Sequence, residues 1–254
     1  YAFNRERALI INAGSPSNVL LTENGGKQWR VVYTNNHADA FVDGVDFWNE
    51  KDGIIYGDPI NGRMLLLRTS DGGETWKEIA TAPELEAGEA SFAASGTGIR
   101  CLGQHDIVIC TGGRISRVWI SNDSGEHWVS RKTPILQGES STGIFSITKS
   151  NKRLVIVGGD FKNDSLSANN NFYSDDMGKT WLAPRKTTHG YRECVEVSAD
   201  QKLFAVGPSG IDMSGDRGTT WTDFSHEKKL HVIRRARHGS LLVAGGGGKL
   251  LIIR

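Results

Sequence analysis

One eight-residue pattern constrains this chain more than any other feature. Thr69-Ser-Asp-Gly-Gly-Glu-Thr-Trp76 returns as Thr22-Glu-Asn-Gly-Gly-Lys-Gln-Trp29, Ser121-Asn-Asp-Ser-Gly-Glu-His-Trp128, Ser174-Asp-Asp-Met-Gly-Lys-Thr-Trp181 and Ser214-Gly-Asp-Arg-Gly-Thr-Thr-Trp221. The shared form is Ser/Thr-x-Asp-x-Gly-x-x-Trp, and five of the seven tryptophans close a copy of it. The steps between those tryptophans are 47, 52, 53 and 40 residues. A period in that range means an array of small units, each needing its neighbours to bury a face.

Each copy sits between two short apolar runs, as with Met64-Leu-Leu-Leu-Arg68 before Thr69 and Trp76-Lys-Glu-Ile79 after it. That is the layout of a β-hairpin with an Asp- and Gly-rich turn. The carboxylates of Asp71, Asp123, Asp176 and Asp216 can accept bonds from N–H groups of their own turn. Gly26, Gly73, Gly125, Gly178 and Gly218 supply a backbone angle that a Cβ would penalise. Trp29, Trp76, Trp128, Trp181 and Trp221 each offer a large apolar surface for packing against the neighbouring unit. The roles of all these residues read as structural. A calcium loop at Asp123 or at Asp175 and Asp176 would need a ligand spacing and a closing Glu that are missing.

The pattern is that of the Asp-box, or bacterial neuraminidase repeat, and in proteins that resemble this one the box is a fold element on the rim. Aligning the units by their boxes predicts four short strands in each: inner, second, third and outer. The first unit has 1–4 as the remnant of an inner strand, then 8–13, 19–22 and 28–33. The second has 44–48, 53–57, 64–69 and 75–79. The third has 98–102, 107–111, 117–121 and 128–131. The fourth has 143–148, 154–158, 171–174 and 180–182. The fifth has 194–198, 203–207, 211–214 and 220–224. The sixth has 231–235, 241–245 and 250–254, without a box or an outer strand. Four-stranded antiparallel units repeated radially make an all-β propeller; a solenoid is the alternative, and the four-strand unit argues against it. The expectation is a single domain over 1–254 with six blades visible. Ring closure is its awkward point, and the expected parent has a further N-terminal blade before Tyr1.

Gly is frequent at 31 residues and Pro scarce at 6, as many tight turns without low-complexity tracts require. With 30 basic and 29 acidic residues, the net charge of +1 argues against bulk nucleic-acid or anionic-membrane binding. The basic run from Lys228 to Arg237 is the local exception and is read as a solvated rim. Cys101, Cys110 and Cys194 are too few for a disulfide framework, although Cys101 and Cys110 could share a hairpin. No membrane span or signal peptide is present in the sequence.

Segments outside the boxes narrow the likeness. Gly44-Val-Asp-Phe-Trp48, Gly57-Asp-Pro-Ile-Asn-Gly-Arg63, Gly88-Glu-Ala-Ser-Phe-Ala-Ala-Ser-Gly-Thr97, Val157-Gly-Gly-Asp160, Gly190-Tyr-Arg192 and Val206-Gly-Pro-Ser-Gly210 occur in order along nearly the whole chain. In them the chain resembles the photosystem II assembly/stability factor-like propellers of non-photosynthetic bacteria. The resemblance implies seven blades, a periplasmic or secreted location with the signal peptide upstream, and a binding role without cofactor. Many such proteins carry an oxidoreductase label. The residues give it no support: there is no Gly-x-Gly-x-x-Gly opening a helix, no CxxCH and no metal triad.

In propellers of this type, ligands meet the face formed by loops entering inner strands and by loops between second and third strands. The first loops carry Asp43, Glu89, Glu139, Thr142, Tyr191, Arg192 and His231; the second carry Asp58, Arg63, Arg114, Asp160 and Lys162. Converging around one axis, these residues would make a binding site. Arg63, Arg114 and Arg192 can fork onto an anion, while Asp58, Glu89 and Asp160 can act as acid/base groups or pair those arginines. The ligand-binding expectation is Asp58, Arg63, Glu89, Arg114, Asp160, Tyr191, Arg192 and His231, with Asp58, Tyr191 and Glu89 as the catalytic candidates should there be an enzyme.

The expected function is noncatalytic binding of a protein partner, a carbohydrate or a small anionic ligand, with no nucleic acid, no membrane insertion, no cofactor and no metal. A sialidase-like glycoside hydrolase is the alternative. It would cast Tyr191 with Glu193 or Glu139 as nucleophile pair, but the Arg-x-Ile/Leu-Pro motif is absent and the order of Tyr and Arg along the blades fits poorly. The seven histidines show no HxxxH or HExxH spacing, no Gly-x-Ser-x-Gly elbow appears, and no helix follows Gly245–Gly248 to make a phosphate cradle.

Overall fold

The computed structural model describes residues 1–254, which form six antiparallel sheets, one per repeat unit. Blade 1 holds Ala8–Ile11, Ser17–Thr22 and Arg30–Asn35, with Ala2 bridged to Ala8 from the stub at 1–4. Blade 2 is Val42–Phe47, Gly53–Ile60, Arg63–Thr69 and Lys77–Glu78. Blade 3 is Ile99–Leu102, Asp106–Cys110, Arg117–Ser121 and Val129–Lys132. Blade 4 is Thr142–Ser150, Arg153–Asp160 and Asn171–Ser174. Blade 5 is Cys194–Val197, Leu203–Gly207, Gly210–Ser214 and Thr222–Ser225, and blade 6 is Leu230–Arg235, Leu241–Gly245 and Lys249–Ile253. Inner strands of blades 2 to 6 lie against one another in chain order, which wraps the sheets about a common axis. The architecture is the all-β propeller the repeats predict.

The box turns explain the regularity. In the second copy the Thr69 hydroxyl donates to Asp71 (2.8 Å) and accepts from the Gly73 N–H (2.9 Å), while the Thr75 N–H donates to Asp71 (3.0 Å). The same three bonds recur around Asp123, Asp176 and Asp216. In the first copy Asn24 replaces Asp and its carbonyl oxygen takes the same two bonds, because one acceptor atom suffices. The box glycine has φ of 77° to 95° in the last four copies, a left-handed geometry in which a Cβ is strained. Those turns then aim the indoles. In the first three copies the indole N–H also donates to the box glycine carbonyl.

The core is divided among the blade interfaces. One cluster joins Leu9 and Leu21 of blade 1 to Phe47, Ile55, Leu67 and Trp76 of blade 2. Equivalent clusters lie between blades 2 and 3, 3 and 4, 4 and 5, and 5 and 6. Each box tryptophan packs toward the preceding blade: Trp76 is 7% exposed and Trp221 0%. Trp29, in blade 1, is 37% exposed. No such cluster joins blade 6 to blade 1. Ile10 and Val31 on one wall of that seam, and Leu242, Leu250 and Ile252 on the other, remain exposed.

Two departures from the sequence reading have local causes. The outer strand expected over 180–182 is reduced to one bridge between Tyr173 and Leu182, because the chain then turns to bond the box of blade 5 through Arg185 and Lys186. Conversely, Glu89–Ala90 and Gly112–Gly113 add two short unexpected strands to the inner edge of blade 4. The approach is close: a Cβ on Gly112 would lie 2.9 Å from the Gly143 Cα, so only glycine fits there. All three cysteines are free; Cys101 pairs with Ile107 across the hairpin, not with Cys110.

The packing order predicts that Trp221→Ala and Trp76→Ala lower stability by about 3–5 kcal/mol. Trp29→Ala, at an indole that is 37% exposed, should cost well under half of that in the same urea titration. The box carboxylates make a second, pH-dependent expectation. The N–H of His127 and of Thr180 are the foremost groups holding Asp123 and Asp176 down to about 2. A folded-state value below the unfolded one stabilises fully above about pH 4 and is lost as pH falls toward 2. Urea midpoints measured between pH 5 and 2 should therefore fall less steeply for Asp123→Asn and Asp176→Asn than for the parent.

Candidate functional site

The candidate polar residues resolve into separate groups. The Glu89 side chain is fully buried on the short strand Glu89–Ala90, where it accepts from Thr111 Oγ1 (2.5 Å), Trp119 Nε1 (3.2 Å) and Arg117 Nε (3.1 Å), and is paired with Arg117 Nη2 as well. Burial alone would raise its carboxyl, but Arg117 and Thr111 outweigh that and hold it below the usual range. Arg117 is the partner the sequence reading did not name. It lies in the third strand of blade 3, and the loop carrying Glu89 comes from blade 2, so no sequence spacing connects them.

Arg192 points away from the axis loops into blade 5. Its Nε donates to Asp212 at 2.7 Å, its Nη1 to Ser209 at 2.9 Å, and Asp212 also accepts from His189 Nδ1 at 2.5 Å. Arg192 and Asp212 are both buried, at 1% and 0% exposure. Alongside, Glu193 bonds His231 Nδ1 at 2.8 Å. Burial, and then the Glu193 carboxylate, push the buried Tyr191 phenol up; burial likewise raises Glu193 against the opposing pull of His231. Phe145 packs edge-on to the Tyr191 ring with centroids 4.7 Å apart.

Other members lie apart from these. Arg63 is exposed and donates to the Ala80 carbonyl (2.7 Å) and to Glu84 (3.0 Å). Arg114 and Lys162 are exposed, and Asp160 caps its own turn by accepting from the Lys162 N–H at 2.9 Å. Glu139 is exposed, whereas Thr142 is buried and bonds within the 139–142 turn. Arg63 and Arg192 thus engage different partners in blades 2 and 5, and the exposed Arg114 side chain joins neither. Asp58 is half-buried and accepts from the Ser91 N–H at 2.8 Å; burial raises its carboxyl.

A concavity of about 950 Å³ lies at the axis beside blades 1, 2 and 6. Asp43, Gly44 and Val45 of blade 2 and the 93–96 loop form one wall. Arg234, Arg235 and Arg237 of blade 6 form the other, with Arg5 and His238 beside them. The run read as a solvated rim is therefore in part a cavity wall. Period-two alternation along Leu230–Arg235 was the available signal, since it sends Ile233 into the blade 5 interface and Arg234 to the opposite face. No group of three or more His, Cys, Asp or Glu side chains is placed to hold a metal ion, and no helix is long and apolar enough to cross a membrane.

This geometry has recognised counterparts. The sequence profile of the Sortilin-Vps10 family, described as sortilin, neurotensin receptor 3, matches residues 64–208, more than half of the chain. The chain belongs to the Sortilin-Vps10 family. No curated protein matches the sequence as a relative. Among solved structures, this family member is similar to YCF48 bound to a D1 peptide, with a TM-score of 0.64 and 19% identity over 98% of this chain and 74% of that one. It is similar to the GH74 xyloglucanase from Xanthomonas campestris, with a TM-score of 0.65 and 13% identity over 98% and 44% of the two chains. The Niastella koreensis GH74 enzyme gives 0.66 and 13% over 96% and 43%. The chain spans less than half the length of either GH74 protein. At these identities the shared feature is the propeller fold, and a fold alone does not fix a function.

The buried pairs set a stability expectation. Removing one partner strands the other charge, so Arg117→Ala and Asp212→Ala should each cost about 3–5 kcal/mol, read as a shifted urea midpoint. Arg63→Ala, at the surface, should cost less than about 1 kcal/mol.

Proposed function

We propose that this chain is a noncatalytic propeller that binds a polypeptide partner on its loop face, in the manner of an assembly or stability factor, in the periplasm or outside the cell. The observation that carries the reading is a concavity of about 950 Å³ at the axis, with Arg234, Arg235 and Arg237 along one wall. A cleft of that size suits an extended peptide or an interfacial loop. YCF48, the similar fold solved with a D1 peptide, gives the reading a precedent.

The carboxylates and the tyrosine proposed for chemistry support it from the other side. Glu89 is saturated by five donor contacts, and the Tyr191 phenol is buried and pushed up rather than activated. A glycoside hydrolase is the second reading, favoured by one feature. Asp43 and Asp58 sit at facing bulges of one hairpin in blade 2, and burial raises both carboxyls, as a general acid needs.

A peptide library screened against the protein should yield acidic ligands whose binding weakens with salt. Arg235→Ala combined with Arg237→Ala should reduce that affinity about tenfold and flatten the salt dependence. Turnover of xyloglucan or fluorogenic sialosides that disappears in Asp58→Asn would establish the hydrolase reading instead.

A further inference from the structure

Four carboxylic side chains are buried, and one of them has no basic partner. Glu89 pairs with Arg117, Glu193 with His231 and Asp212 with Arg192, while Asp43, 2% exposed, forms no ion pair. Asp58, on the facing strand, adds a second carboxyl without a basic partner. Buried charges are held by a group of opposite sign or by a metal ion. Hydrogen bonding does not fill the gap. Neither Asp43 oxygen, nor the Tyr56 hydroxyl, nor the Ser91 hydroxyl has a partner, although Tyr56 is wholly buried and Ser91 is 6% exposed. The Asp58 N–H beside Asp43 is given to the Phe41 carbonyl at 2.9 Å, and the Asp58 carboxyl accepts the Ser91 N–H at 2.8 Å. Buried oxygens left in this state call for water or an ion.

Local backbone geometry gathers them. One bulge, between Val42 and Gly44, takes Asp43 out of the ladder, and a second, between Gly57 and Pro59, does the same for Asp58. The bond from its own N–H brings the Ser91 hydroxyl alongside the Asp58 carboxyl. The Tyr56 ring crosses Gly44 to reach Gly98: Cβ atoms on those glycines would stand 2.7 Å from Tyr56 Cε1 and 2.1 Å from its hydroxyl. Inner strand, second strand and the 91–98 loop thus bring four unpartnered oxygens and the second Asp58 oxygen to the junction of blades 2 and 3. A concavity of about 420 Å³ leads to Asp58, and its lining includes Asp39 and no basic residue.

We propose that Asp43 and Asp58, with the Ser91 hydroxyl beside them, bind a divalent cation of calcium size. Cation binding here is independent of the polypeptide-binding reading. Two carboxylates supply two negative charges, which water alone would leave unopposed. Every donor is oxygen, which suits a hard cation and not zinc. The donors come from three segments and mix carboxylate with hydroxyl. Such a set fits the irregular shell of about six to eight oxygens that calcium accepts better than the octahedron magnesium demands.

Calorimetry on chelator-treated protein tests the site with calcium chloride and magnesium chloride. Calcium should bind once per chain, about tenfold or more tightly than magnesium, and should raise the melting temperature. Asp43→Asn and Asp58→Asn should each weaken calcium by about tenfold or more, and Ser91→Ala by less. Asp123→Asn and Asp176→Asn lie in rim turns whose carboxylates are already bonded, and they should leave the affinity unchanged. Urea titration checks that each variant folds; should Asp43→Asn fail, the half-buried Asp58→Asn carries the test. A parent that binds no calcium and keeps its melting temperature overturns the site, the junction then holding water or a proton. Calcium binding that survives in both Asn variants overturns it as well, by putting the ion elsewhere. Neither result bears on peptide binding, which the library screen reads separately.

Discussion

Packing of one sheet's apolar face against the next is the interaction on which everything else in this molecule depends. A single four-stranded sheet has two apolar faces and cannot bury either alone. Five interfaces between six blades solve this with Val, Ile and Leu from the second and third strands, and with a box tryptophan covering the rim. The box carboxylate never touches that core. It shapes a turn with several N–H and O–H donors, and the turn fixes where the indole emerges. Trp29, built by the same turn, is 37% exposed, whereas Trp76 and Trp221 are buried against a neighbouring sheet.

The polar residues at the axis face follow a different logic. Most carboxylates there are consumed in holding loops together, Glu89 by Arg117 and Asp212 by Arg192 and His189. Such pairs fix loop positions in a fold whose loops have little secondary structure of their own.

The repeats made the fold legible at the level of individual strands. Second and third strands fall within a few residues of their expected positions, because each is bracketed by a turn with its own chemistry. The weakest expectation, an outer strand over 180–182, failed because that segment is recruited by the neighbouring box rather than by its own blade. The strands at Glu89–Ala90 and Gly112–Gly113 left no trace in the pattern, being two residues long and paired across blades. At the candidate site, residue types and loop positions were readable, but partnerships were not. Arg192 looked like an anion ligand beside Arg63 and Arg114, and Asp212 lay unremarked in a third strand, although the two form one buried pair.

From the sequence alone came the unit, its turn chemistry and the radial all-β array, because these arise from interactions among residues close together in the chain. Tertiary structure alone decided which carboxylates are paired, which indole is bare, and that Asp43 and Arg234 line one concavity. Those outcomes depend on groups from blades far apart in sequence, brought together by the curvature of the ring, and no local pattern records that curvature.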